Sequence, residues 1–153
     1  MSPAETHRRT LSIQVPGTAI TQGSKTLLRR HMVDRNDLAT KTLPAKRLKH
    51  WRERVARTAK AEMAERGWSL VPRPVELECE FYFERPKSHR LKSGKVRKGA
   101  PETPRGDVDK YLRAIGDALS GSVYVDDNQV AVVRGLKAYT DGGAYARVTV
   151  RVL

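Results

Sequence analysis

Cys79 is the only cysteine among 153 residues, so no disulfide forms within the chain and no cysteine cluster holds zinc. Histidine is scarce as well. His7, His31, His50 and His89 show no His-Glu-x-x-His or comparable ligand spacing. No Gly-x-Ser-x-Gly elbow is present, and the stretch from Gly17 to Lys25 misses the phosphate-loop spacing. No uncharged apolar run approaches the roughly 20 residues of a membrane helix, and the start has no signal-peptide hydrophobic run. A cytoplasmic chain without membrane contact is the expectation. Acidic side chains are the last shortage: 17 Asp and Glu against 30 Lys and Arg, a net charge of +13.

Apolar residues make up 39% of the chain, enough to build a core. The length suits one domain covering 1–153, with the first nine residues and a basic loop at 85–106 expected to be mobile. The cationic excess sits entirely in residues 1–106, whereas residues 107–153 carry six charges of each sign. Five aspartates crowd between positions 107 and 127. A polyanion is drawn to the first part and repelled by the second unless a cation sits among those aspartates. Nucleic acid and a metal ion are therefore expected together.

Residues 10–15 alternate, with Leu11, Ile13 and Val15 on one face, and predict a strand ending at Pro16-Gly17. A weaker strand pattern covers 27–33. From about Ala45 the period changes: Leu48, Trp51, Val55, Ala59 and Met63 mark the buried stripe of a helix that Gly67 stops. Its other face carries Lys46, Lys49, Arg52, Arg57 and Lys60. Residues 75–84 give the clearest strand, with Val75, Leu77, Cys79, Phe81 and Phe83 facing a core, where the cysteine is inert. The opposite face, rich in glutamate, predicts a sheet covered on one side, with Arg147 and Arg151 as cross-strand partners.

The segment 85–106 has no apolar period and holds eight Lys or Arg, among them Arg85, Lys87, Arg90, Lys92, Lys95, Arg97 and Lys98. A second helix is expected at 107–120, with Val108, Leu112, Ile115 and Leu119 as its apolar stripe and Gly121 as its stop. Two further strands, 129–139 and 144–152, are joined through Asp141-Gly142-Gly143 and read as a hairpin. The order describes one compact α+β domain: a mixed or antiparallel sheet of about four to five strands packed with two main helices.

Projected at 100° per residue, Asp109, Arg113 and Asp117 share one sector of the second helix, opposite its apolar stripe. Asp107 stands at the helix mouth, and the Asp126-Asp127 turn is expected to fold back beside that end. Converging carboxylates repel one another; Mg²⁺, a hard cation, neutralises them and takes their oxygens as ligands. Such an ion activates water and polarises a backbone phosphate, while Arg113 or Lys110 is placed to stabilise transition-state charge. Structural roles compete. Asp107 suits a helix N-cap, Asp117 an i,i+4 partner of Arg113, and Asp126-Asp127-Asn128 ordinary turn chemistry.

The run Gly106-Asp107-Val108-Asp109-Lys110-Tyr111-Leu112-Arg113, continuing through Asp117-Ala118-Leu119 to Asp126-Asp127-Asn128-Gln129-Val130, resembles the signature of RusA-type Holliday-junction resolvases. The likeness extends over the last third of the chain, to Lys137, and upstream it is looser. It implies that Asp107, Asp109 and Asp127 are catalytic and hold the metal, with Lys110, Asp117 and Asp126 as close companions. Two positions depart from the family pattern. Lys110 stands where asparagine is usual, and Arg113 where a lysine is; arginine keeps the charge but loses the compact ammonium and its exchangeable proton.

The resemblance further implies a RusA-like fold and a homodimer acting on four-way junction DNA. It also implies Mg²⁺, with Mn²⁺ as a substitute, and a bacterial, phage or prophage setting. The reading is a metal-dependent endodeoxyribonuclease that resolves Holliday junctions by paired phosphodiester hydrolysis. The 85–106 loop and the basic helix face, chiefly Lys46, Lys49 and Arg52, hold the DNA arms. Two rivals are a junction-binding relative with weakened catalysis, suggested by Arg113, and a basic RNA-binding domain. The latter is disfavoured by the lack of an aromatic stacking platform in the sequence.

Overall fold

The computed structural model describes residues 9–23 and 43–153. The weak strand pattern at 27–33 and residues 1–8 lie outside the described residues. Alternation at the start produces β1, Thr10–Pro16, with Leu11, Ile13 and Val15 buried. Helix α1, Leu43–Glu65, buries Trp51, Val55, Ala59 and Met63, the expected stripe. Gly67 ends it at φ 67°, letting the Trp68 amide turn back onto the Met63 carbonyl at 2.9 Å. Strand β2, Val75–Glu84, and helix α2, Val108–Leu119, also fall within a residue of expectation.

The two remaining strands, β3 (Val130–Thr140) and β4 (Tyr145–Val152), are not a hairpin. The sheet order is β1-β4-β2-β3, so β2 lies between them. β4 runs antiparallel to both β1 and β2, whereas β3 runs parallel to β2. The short loop after β3 therefore steps over one strand. There β4 buries Ala146, Val148 and Val150 in the core and turns its other face to the glutamates of β2. Arg151 reaches Glu76 at 2.9 Å and Glu78 at 2.6 Å, and Arg147 reaches Glu80 at 3.3 Å. Tyr82 stacks on Tyr145 with ring centroids 4.8 Å apart. Arg134 of β3 holds Glu76 from the other side at 3.1 Å. The glutamates are thus structural cross-strand partners, as their alternation suggests.

Both helices lie on the opposite face, over a core that includes Val55, Leu77, Phe81, Ile115, Leu119 and Val148. The buried side of α2 is rotated slightly from the expected stripe: Tyr111, Ala114 and Ala118 are buried, while Val108 and Leu112 are half-buried against β3. Gly135 permits that approach. A Cβ there would sit 2.7 Å from Leu112 Cδ1 and 3.2 Å from Val108 Cγ2. Cys79 is buried, and burial pushes its thiol well above the ordinary range, so it is inert core. No helix among the described residues is long and apolar enough to cross a membrane.

Parallel strands need a crossover, and here it comprises the basic loop and α2. The loop has local order of its own: a 3₁₀ turn at Lys87–His89 and a bridge between Arg90 and Val96. Arg90 clamps it by donating to the Gly94 carbonyl and to Asp141, each at 2.8 Å. Arg85 donates to the Pro101 carbonyl at 3.0 Å and lies over the Tyr139 ring at 4.2 Å. Lys137 of β3 closes the segment, donating to the Pro104 carbonyl at 2.7 Å and the Gly106 carbonyl at 2.5 Å.

Two predictions follow from these contacts. Arg151 and Arg134 hold the Glu76 carboxyl below the usual range, so its contribution is present above the unfolded carboxyl pKa and fades as pH falls through the folded value. The Glu76→Gln variant is expected to lose less melting temperature than the unaltered protein between roughly pH 5 and pH 3, measured by thermal unfolding. Lys137→Met removes both carbonyl bonds at the helix mouth. It should cost on the order of 1–2 kcal/mol in urea unfolding and speed tryptic cleavage within 92–98.

Candidate metal centre and nucleic-acid interface

Helix α2 and the turn before β3 position every acidic candidate. Asp107 occupies the N-cap position of α2, where its backbone carbonyl accepts from the Lys110 amide at 3.0 Å. Its side chain makes no capping bond, so the carboxylate is not consumed by the role most common for an aspartate there. It is exposed and lies 3.2 Å from Lys110 Nζ. Gly106, at φ 92°, makes the sharp entry, and a Cβ there would strike the Tyr111 hydroxyl, which donates to the Arg105 carbonyl at 2.8 Å. Burial, with Asp107 nearby, raises the Tyr111 pKa.

Asp109 and Arg113 are exposed on the same helical sector, one turn apart. Asp117, two turns beyond Asp109, is half-buried and accepts from Gln22 Nε2. Gln22 itself is buried and accepts from Arg52 at 3.2 Å, while its backbone amide donates to the Lys110 carbonyl at 3.1 Å. Arg52 is thus turned inward as part of an α1–α2 bridge. No sequence signal marks Gln22, because its burial comes from the packing of two helices distant along the chain.

The Asp126-Asp127 turn lies at the other end of α2. Gln129 ties it down by donating to the carbonyls of Val71 at 2.8 Å and Arg73 at 2.9 Å. Asp126 caps the turn, accepting from the Asn128 amide at 2.9 Å, and that bond together with one from Asp127 lowers its pKa. Asp127 is left with the opposite shift: its bond with Asp126, partial burial and the nearby charge of Asp117 raise it. The expected fold-back beside Asp107 is therefore not what the chain does. The turn follows the helix end directly, so β3 starts there and only its far end, at Lys137, reaches the helix mouth. Along α2, Asp109 and Asp117 are separated by about 12 Å at ~1.5 Å per residue. Among the described residues no three acidic, histidine or cysteine side chains converge as a metal-holding group.

The cationic candidates divide into two kinds. Arg85 and Arg90 shape the loop, and Arg52 the helix pair, whereas Lys87, Lys92, Lys95, Arg97, Lys98, Lys46 and Lys49 are exposed. Between the loop and the helix mouth lies an open cleft of about 530 Å³, lined in part by Phe83, His89, Arg105, Tyr111 and Tyr139. Rings therefore do gather beneath a basic rim, which the spacing of aromatics along the chain does not reveal. A cationic surface beside exposed carboxylates at a helix mouth suits a phosphate backbone carried with a divalent ion.

Comparison with known proteins agrees with this arrangement. Residues 24–152 match the family described as Endodeoxyribonuclease RusA. A Bacillus subtilis (strain 168) protein, "Uncharacterized protein YqaN", is 32% identical over 102 residues, which cover 64% of this chain and 69% of that protein. With the family match spanning the basic loop, α2 and the whole Asp126–Asp127 region, the chain belongs to the RusA endodeoxyribonuclease family.

Proposed function

We propose that the protein is a metal-dependent, structure-specific endodeoxyribonuclease that resolves Holliday junctions by paired phosphodiester hydrolysis, acting as a homodimer in DNA recombination or repair. The observation that carries this reading is the pair of exposed carboxylates, Asp107 and Asp109, at a helix mouth overhung by a basic loop, within a chain of this family. Asp107 and Asp109, together at the helix mouth, would hold Mg²⁺, for which Mn²⁺ can substitute; Asp127, at the far end of α2 within one chain, is the third carboxylate that the family signature implies. The donor chemistry suits a hard divalent cation, since Asp107 and Asp109 are exposed carboxylates and neither is used to cap the helix by a side-chain bond. When bound, the ion supplies charge neutralisation and an activated water for attack on a backbone phosphate.

The chain's own side chains do the rest. Arg113, one turn beyond Asp109, presents a fixed positive charge to the scissile phosphate as its negative charge grows. Lys110, held 3.2 Å from Asp107, adds an ammonium at the site's edge. The exposed lysines and arginine of the loop, with Lys46 and Lys49 of α1, bind phosphates of the junction arms with little sequence reading. Asp117 and Asp126 act through their neighbours, Gln22 and the Asn128 amide.

Asp109→Asn is expected to keep junction binding in gel-shift assays while nicking of labelled four-way junctions in Mg²⁺ disappears. Nicking by the unaltered protein should stop on adding chelator. Normal cutting by the variant would overturn the site. Binding without nicking by the unaltered protein would favour a junction-binding relative in which Arg113 does not replace the family lysine.

A further inference from the structure

A second cleft, of about 370 Å³, opens where α1 passes the turn after β1. Its walls are Thr18, Ile20, Arg47, His50, Trp51 and Arg54: two guanidinium groups, an imidazole and a hydroxyl, with no carboxylate. Projected at 100° per residue, Arg47, His50 and Arg54 fall within ~60° of one another on α1, and Lys46 and Lys49 lie outside that sector. All three are exposed. Arg54 is already braced. Its Nη1 donates to the Pro16 carbonyl at 2.9 Å and lies across Gly17, where a Cβ would strike it. Behind these cations Trp51 is only 4% exposed, and its indole N–H is buried with no acceptor. Buried donors are normally paired. The unspent groups of this cleft are chiefly donors and cations, which is what phosphate oxygens take.

Its place in the fold matters as much as its chemistry. Thr18 also walls the larger cleft beneath the basic loop, so the two clefts adjoin across one residue. From Thr18 the chain runs to Gln22, whose amide donates to the Lys110 carbonyl in the first turn of α2 at 3.1 Å. Four residues of extended chain reach at most about 14 Å. Along a DNA strand, at ~3.4 Å of helix axis per nucleotide, that reach is about four nucleotides. The cationic cleft is therefore near Asp107 and Asp109 but separate from the helix mouth and the loop.

We propose that this cleft seats one backbone phosphate of the DNA arm being cut, about four nucleotides or fewer from the nick, through Arg47, His50 and Arg54. The proposal rests on the nuclease reading above and adds a positioning site to it. Phosphates are evenly spaced along a strand, so seating one of them fixes which neighbour reaches Asp107 and Asp109. The cleft thus sets where the strand is cut relative to the branch point without reading a base.

The test combines a protein variant with altered DNA. Arg47→Ala together with His50→Ala removes two exposed side chains and should leave the circular dichroism spectrum unchanged, while Arg54 stays to brace the Pro16 carbonyl. In gel shifts with chelator present, this variant should bind four-way junctions about tenfold more weakly, the loss of charge-assisted phosphate bonds. Its log affinity should also fall less steeply with log salt, by about one unit of slope. Single methylphosphonates, each removing the charge of one phosphate, then separate a seat from diffuse attraction. One position close to the branch point should weaken binding by the unaltered protein and have no further effect on the variant. The same profile in both proteins overturns the seat. Calorimetric binding of inorganic phosphate that vanishes in the variant, alongside identical profiles, assigns the cleft to a free anion instead. If the unaltered protein shows the sensitive position but never nicks in Mg²⁺, the nuclease reading fails and the seat remains. If it nicks and no position distinguishes the two proteins, only the seat fails.

Discussion

The parallel pairing of β2 with β3 is the constraint on which the rest of the molecule depends. Two parallel neighbours cannot be joined by a tight turn, so the chain must travel back across the sheet before β3 begins. That return path is the basic loop and α2. It fixes the helix mouth beside the loop and the helix end beside the Asp126-Asp127 turn. β3 then runs antiparallel to α2, held close because Gly135 has no side chain to keep Leu112 and Val108 away. Functional side chains are distributed along this crossover as a consequence of one pairing choice.

Electrostatics divides the molecule by face. On the open side of the sheet, glutamates of β2 are matched by Arg134, Arg147 and Arg151, so that surface has little net charge to offer a polyanion. These pairs are partly exposed, and each contributes modestly, but they act as a network across three strands. The cations left over belong to the loop and α1. Some of those are internal fasteners: Arg85, Arg90 and Arg52 hold carbonyls, a ring or Gln22. A count of basic residues overstates the number available to phosphate. Among the described residues, the exposed lysines of the loop and Arg97, with Lys46 and Lys49 of α1, keep their charge directed at solvent.

Legibility followed the range of the interactions involved. β1, α1, β2 and α2 were readable because alternation and the three-to-four period are properties of consecutive residues. The failed hairpin between β3 and β4 shows the limit. Asp141-Gly142-Gly143 permits a reversal, but β4 joins β1 and β2, burying Ala146, Val148 and Val150 in the core and pairing its arginines with glutamates more than sixty residues away. Similarly, Asp107 has the sequence context of an N-cap, yet its carboxylate does not cap. Asp126 does cap its own turn, a role that spacing to Asn128 and Gln129 made readable.

The sequence by itself determined the periodic elements, the basic loop, the inert Cys79 and the family, since these reside in local pattern or in residues at fixed spacing. Only the tertiary structure decided the strand order, the burial of Gln22 between two helices, the aromatic cleft under the loop, and the distance that parts Asp127 from Asp107. Each of those depends on contacts between segments far apart along the chain, where many pairings satisfy the same local pattern and packing selects one.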